Sequence, residues 1–412
     1  AAACATPSQP PAAKPAAPTC LATISGEGGA EQQLRRAQAK LSTTDTAAST
    51  WVEVGQAWMR VARVRTQPQL YRAAEDCTTQ ALARAPHDAA ALRLRGLMSM
   101  NAHRFAEARA LALELLARDP ADSLSWGTLS DAELELGRVP EAMAAAQQMV
   151  DLKPSLLSYG RAAHLRWMTG DVAGAKQLYR AAIAAGQQQV DPEPRSWMIV
   201  QAAWVFWHEG DYEGAARGFE LALSQVPAYA PALEGLGRTA LARGDYREAA
   251  RVLERAQGLH PLAETAWWLG DAYALAGDRV RAAAAYREVE RLAAGADPRT
   301  LAAFYAARAR EPAQAVRLAQ LAFAERQDCY SKDVLAFALF RSGELQEAKR
   351  LAGEAIALGV RDARLLYHAG MIFRAAGAAA EGVKLMHDAL RLNLGFDPRL
   401  TGDSHATTTA RL

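Results

Sequence analysis

Trp197, Trp204 and Trp207 recur at intervals of seven and three residues, which places three indoles on one face of a helix. Such a face can grip an apolar or proline-rich segment, or it can pack inside the protein, and both readings stay open at this point. His164 and His208 could begin a metal site, yet no third and fourth ligand stand at a fixed spacing from them, so hydrogen-bonded or solvated imidazoles and no metal are expected. The chain holds no HExxH pair, GxSxG elbow, GxxxxGK phosphate loop, CxxC or CxxCH motif. No enzymatic activity and no cofactor are expected. Cys4, Cys20, Cys77 and Cys329 admit three complete pairings. Cys20 can reach Cys77, Cys4 can reach Cys20, and a buried reduced Cys77 is the remaining possibility. Ala1-Ala2-Ala3-Cys4 also matches the end of a lipobox, in which Cys4 would carry lipid.

These residues need elements to position them, and composition says which kind. Of 412 residues 95 are Ala, so the core must come from close helix packing, and strand formers are scarce. An all-α fold is expected. The 47 Lys+Arg against 45 Asp+Glu leave a net charge of +2, which gives no reason to expect a nucleic-acid partner. The longest uncharged apolar stretch, Met198 to Trp207, is half of what a membrane helix needs. Membrane association is therefore expected only through a lipid on Cys4. The first 30 residues carry five Pro and only two charges, Lys14 and Glu27, and read as an extended tether or docking strand behind a processed secretory N-terminus.

Internal repetition organises the remainder. Gly237, Gly244, Tyr246, Ala249, Leu253, Ala256 and Pro261 recur 33 residues later as Gly270, Gly277, Ala282, Tyr286 and Val289. They recur 34 residues earlier as Gly210, Tyr212, Ala215, Phe219, Ala222 and Pro227. The register extends to units starting near Ala89, Ser123, Leu156, Ser196, Ala230, Ala263, Ala296, Cys329 and Ala363, with one more from Trp51 to Pro86. Within a unit, Gly at position 15 ends a first helix, Ala at position 20 lets the second helix approach, and Pro at position 32 stops it. The unit from Ala296 lacks the turn Gly, and the last has Gly382 at position 20.

This pattern resembles the tetratricopeptide repeat (TPR) family, and its last units resemble exported bacterial TPR proteins. The resemblance implies a right-handed superhelix of about ten helix-turn-helix repeats over residues 48–396, preceded by an extended segment 1–30 and a short helix or connection 31–47, and followed by a tail 397–412. It also implies a concave groove faced by first-helix positions 2, 5, 9, 12 and 13. At those positions stand His164, Trp167, Met168, Trp197, Trp204, Trp207, Trp267, Phe304, Phe337, Phe340 and Tyr367. The expected function is a non-catalytic exported scaffold, periplasmic, envelope-associated or extracellular, that binds a protein or extended peptide there. The alternative is a self-assembling subunit, a homo-oligomer or filament, whose N-terminal segment or apolar C-terminal end docks onto the next copy. Lys at position 5 with Asn at position 9, by which some members hold a terminal carboxylate, is replaced here by pairs such as Val200/Trp204 and Trp267/Asp271, so that mode is not expected.

Overall fold

The computed structural model describes residues 19–41, 47–65, 67–188 and 191–402. The readings made for Cys4, the prolines before residue 19 and the residues after 402 lie outside them. Among the described residues every regular element is helical. They fall into two compact units, one ending at Ala102 and one beginning at His103.

The first unit contains α1 (Gly29–Leu41), α2 (Ala48–Val64), α3 (Tyr71–Arg84) and α4 (Ala89–Asn101). Leu34, Trp51, Trp58, Leu94 and Met98 bury a core between them. Residues 19–28 cross this core's edge. Cys20 is disulfide-bonded to Cys77 of α3, with Cα atoms 5.2 Å apart. Its carbonyl accepts from Trp58 Nε1 at 2.8 Å and from Gln38 Nε2 at 3.0 Å. The end of the stretch read as an extended tether is therefore fastened to its own unit, and of the cysteine pairings left open Cys20–Cys77 is the one formed. Cys329 is free and buried.

The second unit opens with α5 (Phe105–Arg118), followed by α6 (Ser123–Glu135), α7 (Val139–Leu152), α8 (Leu156–Met168), α9 (Val172–Ala185), α10 (Glu193–His208) and α11 (Tyr212–Gln225). It continues with α12 (Ala230–Arg243), α13 (Tyr246–Leu259), α14 (Ala263–Leu275), α15 (Arg279–Ala293), α16 (Pro298–Ala307) and α17 (Pro312–Glu325). Last come α18 (Cys329–Ser342), α19 (Leu345–Ile356), α20 (Ala363–Ala375), α21 (Ala379–Leu392) and α22 (Pro398–Gly402). From α6 to α21 consecutive helices pack in pairs at the expected spacing. The unit read from Ala89 is divided: α4 falls in the first unit and α5 in the second.

Local chemistry explains the boundaries. Asp171, Asp211, Asp278, Asp297 and Asp328 each accept a backbone N–H of the following helix at 2.7–3.0 Å, and such a cap contributes about 1 kcal/mol. Gly244 ends α12 in the left-handed region at φ 83°. Where the turn Gly is missing, Ala309 and Glu311 adopt φ 51° and 47° to make the same reversal. Between paired helices Ala215, Ala249 and Ala315 are fully buried. At Gly382 the approach is closer still, since a Cβ there would lie 2.5 Å from the Gly370 carbonyl oxygen.

The second unit also touches itself across long stretches of sequence. Gln327 N donates to Glu135 O at 2.9 Å, and Arg326 pairs with Glu135 at 2.8 Å. A Cβ on Gly170 would lie 2.5 Å from Gly359 O. Asn393 donates to Trp207 O at 2.7 Å, accepts from Tyr212, and Gly395 N donates to Tyr212 Oη at 2.9 Å. The apolar run that sequence leaves open for a neighbouring copy is thus covered in its own chain: Met386, Leu392 and Phe396 are buried, and Leu394 is exposed. Residues 397–402 are likewise not a tail, because α22 packs against α14.

Candidate functional site

First helices of neighbouring pairs face one another in the second unit, α10 and α12 with residues near their C-terminal ends and α14 to α20 with residues from their first turns, and a cavity of about 240 Å³ opens between α10, α12, α14, α16, α18 and α20. Trp204 and Trp207 come from the last turns of α10, Trp267 and Trp268 from α14, and Tyr330 from α18. Phe396, carried beyond α21 by the Asn393 and Gly395 contacts, closes one side. A smaller space of about 40 Å³ adjoins it, shared by Trp267, Trp268, Ala303, Val334, Arg364 and Phe396 and bounded by Phe337, His368 and Arg399.

Charge is built into these aromatic walls. The Arg238 guanidinium lies among three indoles, 4.6 Å from the ring centre of Trp204, 4.8 Å from Trp207 and 4.4 Å from Trp268, contacts worth about 0.5–2 kcal/mol each when desolvated. It pairs with Glu264 at 3.5 Å and with Glu234 at 4.0 Å. Burial, reinforced by the neighbouring Glu264, raises the Glu234 carboxyl; burial opposes ionisation of Glu264 as well, but Arg238, Arg364 and Arg299 hold it below the usual range. One negative charge therefore persists beside Arg238. His208 sits 3.5 Å from Asp362 and against the rings of Trp167 and Trp207 at 4.9 and 5.3 Å. Burial, with Arg238 and Arg364 nearby, lowers it to about 4 in spite of Asp362, so the imidazole is neutral at pH 7. The indole N–H groups of Trp207 and Trp267 are buried and have no hydrogen-bond partner among the described residues.

The eleven groove residues expected from sequence separate into groups. Trp204, Trp207 and Trp267 line the larger cavity and Phe337 the smaller one. Trp167 reaches the larger cavity through stacking on His208 and on Tyr330 at 6.5 Å, with His164 behind it at 6.1 Å. Tyr367 packs on Phe396 at 5.4 Å and Phe340 on Phe337 at 5.7 Å. Met168 and Phe304 belong to the packed core and line neither cavity. Trp197 is 43% exposed toward the N-terminal end of α10, apart from Trp204 and Trp207 in spite of the shared helical face. Glu264, Trp268, Arg299, Asp362 and Phe396 were missed. Asp362 precedes its repeat and caps α20, and Phe396 lies at the end of the last repeat, where no periodic signal could reach. Among the described residues no group of three or more His, Cys, Asp or Glu is placed to hold a metal, and no helix is long and apolar enough to cross a membrane.

Comparison with known proteins adds to this geometry. Tetratricopeptide-repeat family models match residues 206–269 and, in two overlapping registers, residues 69–123 and 99–156. The chain carries tetratricopeptide repeats. Solved structures similar to this TPR chain include the human IFIT1 dimer with m7Gppp-AAAA, 15% identical over 87% of this chain and 85% of that one with a TM-score of 0.50. They also include a tetratricopeptide repeat protein from Parabacteroides merdae, 15% identical over 59% and 94% with a TM-score of 0.43. The type IV pilus biogenesis factor PilW is 17% identical over 52% and 94%, with a TM-score of 0.43. At such identities the likeness concerns the TPR fold. No curated protein sequence matches the chain. TPR arrays are in general scaffolds for protein interaction.

Proposed function

We propose that this TPR protein is a non-catalytic scaffold that holds a short extended segment of another protein in the cavity between α10 and α20. The observation that carries the reading is a space of about 240 Å³ walled by four indoles, Tyr330 and Phe396, below the roughly 300–1,000 Å³ of drug-sized ligand sites and suited to one or two residues of a chain. The Cys20–Cys77 bridge supports work in an oxidising compartment outside the cytoplasm, periplasmic, envelope-bound or extracellular. The test fills the cavity without touching its charges. Ala303→Trp should abolish crosslinking of the native partner, while Leu321→Trp, at a site 53% exposed, should leave it intact. Equal crosslinking by both variants would reject the site.

A further inference from the structure

The aromatic faces of this groove are covered by arginine. Besides Arg238 in its cage of indoles, Arg399 lies over Trp267 at 6.0 Å, while from outside the two cavities Arg341 covers Phe337 at 5.0 Å and Arg308 covers Tyr286 at 3.7 Å. An entering segment therefore meets guanidinium planes as well as rings. Arg238, Arg308 and Arg399 already hold carboxylates, those of Glu264, Asp271 and Asp397. Arg341 does not, and Arg364 feels Asp362, Asp333 and Glu264 only through space, without a contact pair. Arg341 spends its Nε on the Ala306 carbonyl at 3.0 Å and forms no ion pair among the described residues. The Arg364 guanidinium, which faces both cavities, forms neither hydrogen bond nor ion pair there.

The acids around them are engaged. Asp333 lies 3.0 Å from His368, and Asp362 accepts the backbone N–H of Arg364 at 2.8 Å while facing His208. Two guanidiniums with open donors, set among carboxylates whose partners are present, make a site selective for added negative charge. A planar fork of N–H donors matches a carboxylate in two-point geometry, and stacking on a ring holds that fork in place. We propose that the groove recognises an acidic stretch of its partner protein, with Asp or Glu side chains received by Arg364 and Arg341. The proposal rests on the segment-holding role above and gives its ligand a chemistry. Glu264, Asp333 and Asp362 interrupt the basic surface, which disfavours a continuous phosphate backbone.

The test selects random dodecapeptides on the intact chain and discards any that still bind Ala303→Trp. Survivors should be enriched in Asp and Glu. The tightest acidic survivor should lose about tenfold in affinity when its Asp and Glu become Asn and Gln, the loss expected for one charge-assisted hydrogen bond. Arg364→Gln should erase that difference and Arg364→Lys should restore part of it; if Arg364→Gln does not fold, Arg341→Gln gives the same comparison. Survivors without acidic enrichment, or acid and amide peptides of equal affinity, would overturn the acidic proposal and leave the segment-holding site standing. No survivors at all would reject the site itself. Tighter binding of a single-stranded RNA dodecamer, lost in Arg364→Gln, would overturn the proposal in favour of a nucleic acid.

Discussion

His208 should make the second unit acid-sensitive, and the size of the effect follows from its surroundings. Its folded value of about 4 lies below the ordinary 6.5. As pH falls through 6.5 the unfolded chain takes up a proton that the folded chain refuses until about 4, so stability present at neutral pH is lost through this window. Linkage between these values gives a loss of about 2 kcal/mol from pH 7 to pH 5 and about 3 kcal/mol when the titration is complete. The charged groups facing the ring are Asp362, Arg238 and Arg364. Burial works against ionisation of Asp362, yet the Arg364 guanidinium and the backbone N–H groups of Arg364 and Leu365 hold its carboxyl below the usual range, so it keeps its charge across the window. Urea unfolding followed by far-UV circular dichroism at pH 7 and pH 5, on wild type and His208→Gln, isolates the contribution. The variant should lose about 2 kcal/mol less than wild type over that interval, and NMR should show the wild-type imidazole still neutral at pH 5. Parallel losses in the two proteins, or an imidazole titrating near 6.5, would refute the reasoning.

Other expectations are more local. Cys77→Ser opens a loop of 57 residues, and chain entropy places the cost at about 4 kcal/mol; hydrogen exchange should rise across α1 to α3. Gly382→Ala forces a methyl against the Gly370 carbonyl and should cost about 1–3 kcal/mol, read by thermal melting. Phe396→Ala removes the ring that packs on Tyr367 and should cost about 3 kcal/mol, with proteolysis appearing between Asn393 and Gly402.

Much of the array was legible because each unit repeats the same local demands. A left-handed turn at Gly244, a methyl-sized contact at Ala249 and a Pro that stops the next helix are properties of short segments, and short segments are what a sequence displays. The groove was legible only as a direction. Trp204, Trp207 and Trp267 stand at positions that face inward in any such array, but periodicity says nothing of what lies on them. That Arg238 slots among three indoles depends on α10, α12 and α14 converging from stretches more than thirty residues apart. Trp197 shows the converse: it shares a helical face with Trp204, and its place toward the other end of α10 leaves it exposed. The break between α4 and α5 and the docking of Phe396 also escaped, because both are decided by contacts that no single repeat contains.

The contacts that join Glu135 to Gln327 and Trp207 to Asn393 change how the second unit should fold. An open array of repeats behaves as a chain of nearest neighbours, in which stability sums locally and either end can fray alone. Here residues about 190 positions apart share hydrogen bonds, so the helices around α6 to α11 are not complete until α18 to α21 have formed. Loop closure over that distance must precede the reward, which slows folding and raises its cooperativity. Removing the last helix pair should therefore loosen α10 and α11, far upstream in the sequence, as much as its immediate neighbours.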